Sequence, residues 1–204
     1  DPTRLLSGWG LRFFDYDNDG LMDLILANGH PNDLVDGRMR GVTYKEPLLL
    51  FHNEGKGSLA NVSETAGEAF REKYAARGLA VGDLNNDGYP DVAVGINGGA
   101  PLVLYNNVAS KNNWVGLKLV GTRANPAAIG ALIKWNTNGQ VHFRLKTAGG
   151  SFLSSHDPRE MGLGKADKVD WVEIRWPKPS TRVDHFTDLP INKYLTVVEG
   201  RGLE

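Results

Sequence analysis

The 204-residue chain has no cysteine, so disulfides contribute nothing to its stability and the redox compartment cannot be read from them. It has no surplus of either charge. Its 23 basic and 24 acidic residues leave a formal charge of −1, which removes the general electrostatic case for nucleic acid or an anionic membrane as partner. No apolar run approaches the ~20 residues of a membrane span, so no membrane insertion is expected. The five histidines (His30, His52, His142, His156, His185) have neither H-x-x-x-H nor HExxH spacing, which argues against a zinc enzyme. The sequence starts at Asp1 without methionine or a signal-like stretch, and is expected to be processed or cut from something longer. A sequon, Asn61-Val62-Ser63, matters only in a eukaryotic secretory product.

What is present is a hydrophobic content of 41%, enough for a real core, with 25 glycines and 10 prolines that suit a fold with many turns. The stretch Asp15-Tyr16-Asp17-Asn18-Asp19-Gly20-Leu21-Met22-Asp23 recurs 68 residues further on as Asp83-Leu84-Asn85-Asn86-Asp87-Gly88-Tyr89-Pro90-Asp91. Oxygen side chains at loop positions 1, 3, 5 and 9, with glycine at 6 for the sharp turn, suit a hard cation. The carbonyl of position 7 completes a Ca²⁺ shell of roughly 6–8 oxygens. The ligand sets are Asp15, Asp17, Asp19, Asp23 and the Leu21 carbonyl, then Asp83, Asn85, Asp87, Asp91 and the Tyr89 carbonyl. An EF-hand would need glutamate at position 12, where Leu26 and Val94 stand. A plain polar turn would explain one copy, but two copies with the same ligand positions point to two Ca²⁺ sites.

Short apolar runs flank both loops, as in a β-hairpin. Residues 9–15 and 23–28 make the first; Leu48-Leu49-Leu50-Phe51 and Ser58–Val62 add two strands and complete a four-stranded blade. Residues 30–47 read as a loop and Ser63–Tyr74 as a short helix. The second unit repeats the order through Leu79–Asp83, Asp91–Ile96 and Leu102–Tyr105, with Leu104-Tyr105-Asn106 matching Phe51-His52-Asn53. A four-stranded period of this length fits a propeller blade. The pattern resembles the FG-GAP (VCBS-type) repeat of integrin-like β-propellers, whose blades carry a Ca²⁺ loop between their first two strands.

After Asn107 the repeat ends, and Ala109–Asn113 is a polar linker. Residues 108–124 are a linker or a last blade strand, Trp114–Val120 fitting either unit. Residues 125–200 read as a second all-β unit, a small sandwich or barrel. Ala131, Ile133 and Trp135 alternate with Leu132 and Lys134, Asn138-Gly139 marks a hairpin, and Val172, Ile174 and Trp176 share a face. Phe143 and Leu145 alternate with His142, Arg144 and Lys146, whose basic face is expected in solvent. Asn125, Ala128-Ile129-Gly130-Ala131, Gly149-Gly150-Ser151-Phe152-Leu153-Ser154-Ser155, Asp157-Pro158-Arg159, Gly162-Leu163-Gly164 and Ile174-Arg175-Trp176-Pro177 resemble the ASPIC/UnbV domain. That domain follows such repeats at the C-terminus of extracellular proteins.

Ser155-His156-Asp157 suggests a catalytic triad, but neighbouring side chains on a strand diverge and cannot serve as nucleophile, base and orienter. No catalytic residue is assigned. Trp171, beside Glu173 and Arg175, is a candidate for stacking on a sugar ring or for packing under a loop. The sequence therefore predicts an all-β chain: two blades of a partial propeller over residues 1–107 and a C-terminal β domain. The expected function is a Ca²⁺-binding, extracellular or cell-surface adhesion or ligand-binding module. Its expected partners are the remaining blades, from the same precursor or other chains, and a glycan or extracellular protein; self-association is the alternative to a blade partner. The rival readings are a polysaccharide-acting enzyme or enzyme subunit and a structural subunit of an extracellular assembly.

Overall fold

The computed structural model describes residues 3–156 and 159–204. The chain is 44% strand and 3% helix, and none of its sheets closes into a barrel. β1 (Gly8–Phe14) and β2 (Asp23–Asn28) form the hairpin around the first acidic loop. Beyond the long connection, the two-residue β3 (Glu46–Pro47) leads into β4 (Leu49–Gly55) and β5 (Ser58–Asn61). The sheet order is β1-β2-β4-β5, an antiparallel blade of four strands.

No helix follows over Ser63–Tyr74. Gly67, at φ 113°, separates two single 3-10 turns (Ser63–Thr65 and Glu68–Phe70), and β6 (Lys73–Tyr74) then pairs with β3. Phe70 and Tyr74 pack on the core all the same. The second hairpin joins β7 (Ala76–Gly82) to β8 (Asp91–Ile96), and β9 (Leu102–Leu104) is the last strand of its own sequence that this blade has.

The inward faces of the two blades interlock. Phe14, Ile25, Ala27, Leu48 and Leu50 of the first meet Leu79, Val81, Val92 and Val94 of the second in one buried cluster. Both inner strands carry a register shift at matching places, between Gly8 and Leu11 and between Ala76 and Leu79. At Gly10 a Cβ would lie 2.8 Å from the Leu79 nitrogen, so the missing side chain sets how closely β1 approaches β7.

The C-terminal unit begins with β10 (Asn113–Val120), followed by β11 (Leu132–Thr137), β12 (Gln140–Leu145), the two-residue β13 (Ser155–His156) and β14 (Glu160–Gly164). β15 (Trp171–Arg175), β16 (Val183–Phe186), β17 (Tyr194–Val198) and β18 (Gly202–Leu203) complete it. Trp114–Val120 lies inside this unit, in the sheet β14-β10-β17-β18, and is not a fourth strand of the second blade. A second sheet, β12-β11-β15-β16, packs over it. Val115, Leu117 and Met161 of one meet Ile133, Trp135, Val172 and Ile174 of the other in a single core. Of the sandwich or barrel expected for this unit, the described residues form a two-layer sandwich.

β12 reverses the expected faces. Val141, Phe143 and Leu145 are exposed at 54, 75 and 53%, while Lys146 is buried and His142 and Arg144 are half-buried. The period-2 alternation holds, but His142 and Arg144 turn toward the first blade, where Gly20 and Asp15 lie against them.

Candidate metal centres

The two loops share one backbone design. In the first, the Asp15 carboxylate accepts from Asp19 N (3.0 Å) and Gly20 N (2.9 Å), Asp17 from Asp19 N (3.3 Å), and Asp19 from Leu21 N (2.7 Å). In the second, Asp83 accepts from Asp87 N (3.2 Å) and Gly88 N (2.7 Å), Asn85 from Asp87 N (3.1 Å), and Asp87 from Tyr89 N (2.8 Å). Asn18 and Asn86 take matching left-handed conformations, φ 59° and 60°, as do Gly20 and Gly88 at 92° and 90°. Asparagine and glycine are the residues that bear this conformation at least cost.

Each loop is closed by its ninth residue. Asp23 accepts from Tyr16 N (3.1 Å) and Asn53 N (2.8 Å), and Asp91 from Leu84 N (2.8 Å) and Asn106 N (2.7 Å). The side chains of Asn53 and Asn106 reach back to the carbonyls of Met22 (3.0 Å) and Pro90 (3.2 Å), so β4 braces the first loop and the segment just after β9 braces the second. The Leu21 and Tyr89 carbonyls accept nothing among the described residues.

Carboxylate oxygens of Asp15, Asp17 and Asp19 lie within 4.8 Å of one another. Asp15 and Asp23 are 4% and 0% exposed. Burial, opposed by Arg144 and reinforced by Asp19, pushes the Asp15 carboxyl up to about 8. Burial likewise raises Asp23 to about 6 and lifts Asp17. Crowded, dehydrated carboxylates of this kind fit a hard divalent cation, which supplies the positive charge they lack and accepts oxygen donors only. His52 differs between the copies: its Nδ1 lies 3.2 Å from Asp23 Oδ1, while the matching position is Tyr105. The second loop is more open, with Asn85, Asn86 and Asp87 exposed.

The C-terminal unit docks onto both loops. Gly20 presses on the His142 ring, where a Cβ would come within 3.1 Å, and Gly88 lies on Trp114, where a Cβ would come within 1.8 Å. The glycine at position 6 therefore makes the turn and also permits a flat contact with an aromatic ring. Asn18, fully buried, donates to the Gly88 carbonyl (3.0 Å) and accepts from Gly164 N (2.8 Å), tying the loops to each other and to β14. Ser110 and Asn112 of the linker donate to the Asp17 carbonyl at 2.7 and 2.9 Å. Tyr194 holds its hydroxyl against Asp83 Oδ2 and 2.7 Å from Glu160 Oε1, and burial with these two acids pushes its ionisation upward.

The glycine-rich segment 149–156 runs along the inner strands of the blades. Ser151 Oγ accepts from Leu11 N (2.8 Å) and donates to the Trp9 carbonyl (3.1 Å), and Phe152 packs on Trp9 at 5.0 Å. Leu153 fills the space over Gly78, and β13 pairs in parallel with Ala80 and Val81 of β7. Of the triad-like trio, Asp157 lies outside the described residues, and Ser155 and His156 are placed only by this backbone pairing. Trp171 packs against His185 at 5.6 Å.

The structure gathers Asp15, Asp17 and Asp19 of the first loop, and gives Asp83, Asn85, Asp87 and Asp91 of the second the same backbone hydrogen bonds. Sequence reasoning missed the roles of Asn18, Arg144 and Tyr194, and of Gly162, where a Cβ would lie 2.1 Å from Asp15 Oδ2; these contacts join distant parts of the chain. Asn53 and Asn106 were visible as a matched pair, but their bracing role was not.

No curated protein sequence matches the chain. No helix among the described residues is long and apolar enough to cross a membrane. Residues 15–94 match the family described as FG-GAP-like repeat, and residues 121–204 match the family described as ASPIC and UnbV. The chain thus carries an FG-GAP-like repeat region joined to an ASPIC and UnbV domain.

Proposed function

We propose that the chain is a Ca²⁺-stapled, extracellular or cell-surface ligand-binding module that works as part of a larger propeller. The observation that carries the reading is the duplicated loop, in which the same four side-chain positions and the same backbone N–H groups recur 68 residues apart. Asp15, Asp17, Asp19, Asp23 and the Leu21 carbonyl would hold one ion; Asp83, Asn85, Asp87, Asp91 and the Tyr89 carbonyl would hold the other. The ion supplies charge neutralisation and cross-linking of the loop; the chain supplies preformed oxygen positions. An extracellular setting suits such sites, because rigid loops of ordinary affinity need Ca²⁺ at about 10⁻⁴ M or more.

Two surfaces support a partner made of further blades. On the first blade, Leu11 and Phe13 are 37 and 49% exposed beside Leu24 and Leu26, on the face turned away from the second blade. On the second blade, β9 has no outer neighbour among the described residues. In the first blade the matching strand has the Leu50 nitrogen and carbonyl satisfied by Ser63 Oγ and Val62 N. Val103 holds that position in β9, 45% exposed, beside a groove of about 810 Å³. Isothermal titration with Ca²⁺ should give two sites, falling to one in Asp17→Asn/Asp19→Asn. A single site or none in the unmodified chain would overturn the metal assignment.

A further inference from the structure

We infer that the first loop carries a second, nitrogen-bearing cation position, where Asp17, Asp23 and His52 hold Zn²⁺ in competition with Ca²⁺. The inference rests on the loop being a cation site, as read above, and adds an ion that the second loop cannot take. No histidine motif is involved. Two ligands come from the loop and the third from β4, where Leu24 pairs with Phe51 and so sets the next residues, Asp23 and His52, opposite each other.

The acids of the first loop fall into two groups that share Asp17. Asp15, Asp17 and Asp19 form one; Asp17, Asp23 and His52 form the other, with one ligand atom from each residue within 4.8 Å of the rest. His52 Nδ1 stands 3.2 Å from Asp23 Oδ1. With Zn–N and Zn–O distances of about 2.0–2.1 Å, two ligands of a tetrahedral ion lie about 3.3 Å apart, so this pair is spaced as one edge of such a shell. It is not hydrogen-bonded: Nδ1 is sealed from water and has no hydrogen-bond partner among the described residues. An ion at that point restores the partner that burial removed. Asp23 Oδ1 accepts from Asn53 N at 2.8 Å, and a carboxylate oxygen has a second lone pair to give. Asp23 is fully buried and forms the floor, while the half-buried Asp17 and His52 leave an open side for the ion and a fourth ligand, water.

The second loop is the internal control. Asp15, Asp19 and Asp23 recur there as Asp83, Asp87 and Asp91, whereas Asp17 becomes Asn85 and His52 becomes Tyr105. Both changes fall on the same group, so the second copy keeps the Ca²⁺ pattern and only one of the three Zn²⁺ ligands. An imidazole nitrogen offers nothing to Ca²⁺, which takes oxygen donors, but with carboxylates it makes an ordinary Zn²⁺ shell. Because Asp17 and Asp23 serve both ions, each displaces the other from the first loop.

The test is calorimetric titration of the chelator-stripped 204-residue chain with Zn²⁺, with Co²⁺ as a stand-in read by its visible absorption. One Zn²⁺ site is expected. His52→Tyr, which copies the second loop, should weaken it at least about tenfold and remove the Co²⁺ absorption. Both Ca²⁺ sites should persist in that variant, which also shows that it folds, and His52→Gln should behave alike. About 1 mM Ca²⁺, against a Kd of about 0.1 mM, should weaken Zn²⁺ about tenfold in the unmodified chain. No Zn²⁺ binding, or equal binding by His52→Tyr, would overturn the inference, and two surviving Ca²⁺ sites would leave the reading above intact. Zn²⁺ binding that Ca²⁺ does not oppose would overturn the shared-ligand geometry. Zn²⁺ bound through His52 in a chain that takes no Ca²⁺ would support this site and remove the Ca²⁺ reading.

Discussion

Stripping Ca²⁺ from the first loop should reverse the way stability depends on pH. Asp15 has an ordinary carboxyl value of 3.8 in the unfolded chain and about 8 in the folded, metal-free protein, with burial the largest cause. Asp23 moves to about 6 and Asp17 moves in the same direction. A folded value above the unfolded one means that the folded state holds its proton more tightly. The stability tied to that proton is complete below about pH 4 and is lost as pH climbs through 8. Fully expressed, the Asp15 shift corresponds to an upper bound of about 6 kcal/mol. Opening of the loop and entry of water reduce it, so roughly 2–3 kcal/mol is expected, or about 5–10 °C in melting temperature for a chain of this size.

Calcium works in the other direction. Held by the ionised carboxylates as proposed, it would add stability that grows over the same pH range as protons cease to compete. With a Kd of about 0.1 mM and about 1 mM free ion, each site adds about 1.4 kcal/mol, and two sites about 3 kcal/mol, at the alkaline end. Melting curves between about pH 5 and 8.5, in EDTA and in Ca²⁺, should therefore diverge as pH rises. Parallel curves with a constant offset would mean that the buried carboxylates are not the ligands. Coincident curves would mean that no ion binds.

Gly162→Ala should separate the C-terminal unit from the first loop, because its Cβ would sit 2.1 Å from Asp15 Oδ2 and 2.8 Å from the Asn18 backbone. A loss of roughly 2 kcal/mol in denaturant titration is expected, against less than about 0.5 for Gly82→Ala, whose Cβ meets nothing within 4 Å. Glu199→Gln should cost roughly 2 kcal/mol, since one carboxylate oxygen accepts from the Thr122, Arg123 and Ala124 nitrogens, each at 2.8 Å; an unchanged melt would refute this. Light scattering on the isolated chain at tens of micromolar should show self-association through the Leu11 and Phe13 face, reduced in Leu11→Ser/Phe13→Ser. A monodisperse unmodified monomer with no dye-binding apolar surface would refute that assignment.

The blades were legible because their information is local. Four loop ligands, a glycine and two flanking strands lie within about 20 residues, and the second copy repeats them, so the hairpins and carboxylate clusters followed from spacing alone. The β12 strand shows where local reading stops. Alternation identifies two faces, but which face is buried depends on what lies opposite. Here the opposite surface holds Asp15 and Gly20, more than 120 residues away in sequence, and so His142 and Arg144 turn inward while Phe143 stays in solvent. The Ser63–Tyr74 segment failed for a different reason. Phe70 and Tyr74 have helical spacing, but Gly67 takes a conformation that no helix continues through.

The placement of the C-terminal unit follows from the same constraint that shapes the loops. A nine-residue carboxylate loop must turn sharply at position 6, which demands glycine and leaves a bare patch of backbone. Gly20 and Gly88 present such patches, and His142 and Trp114 cover them. Glycine on the other side completes the fit: Gly162 leaves room for Asp15 and Asn18, and Gly116 leaves room for the Tyr194 ring that reaches Asp83. The loops are thus the seat of the C-terminal sandwich as well as turns within their blades. On the proposed reading, an ion in either loop would fix backbone that the C-terminal unit rests on, so metal binding and domain docking would share free energy and each would strengthen the other.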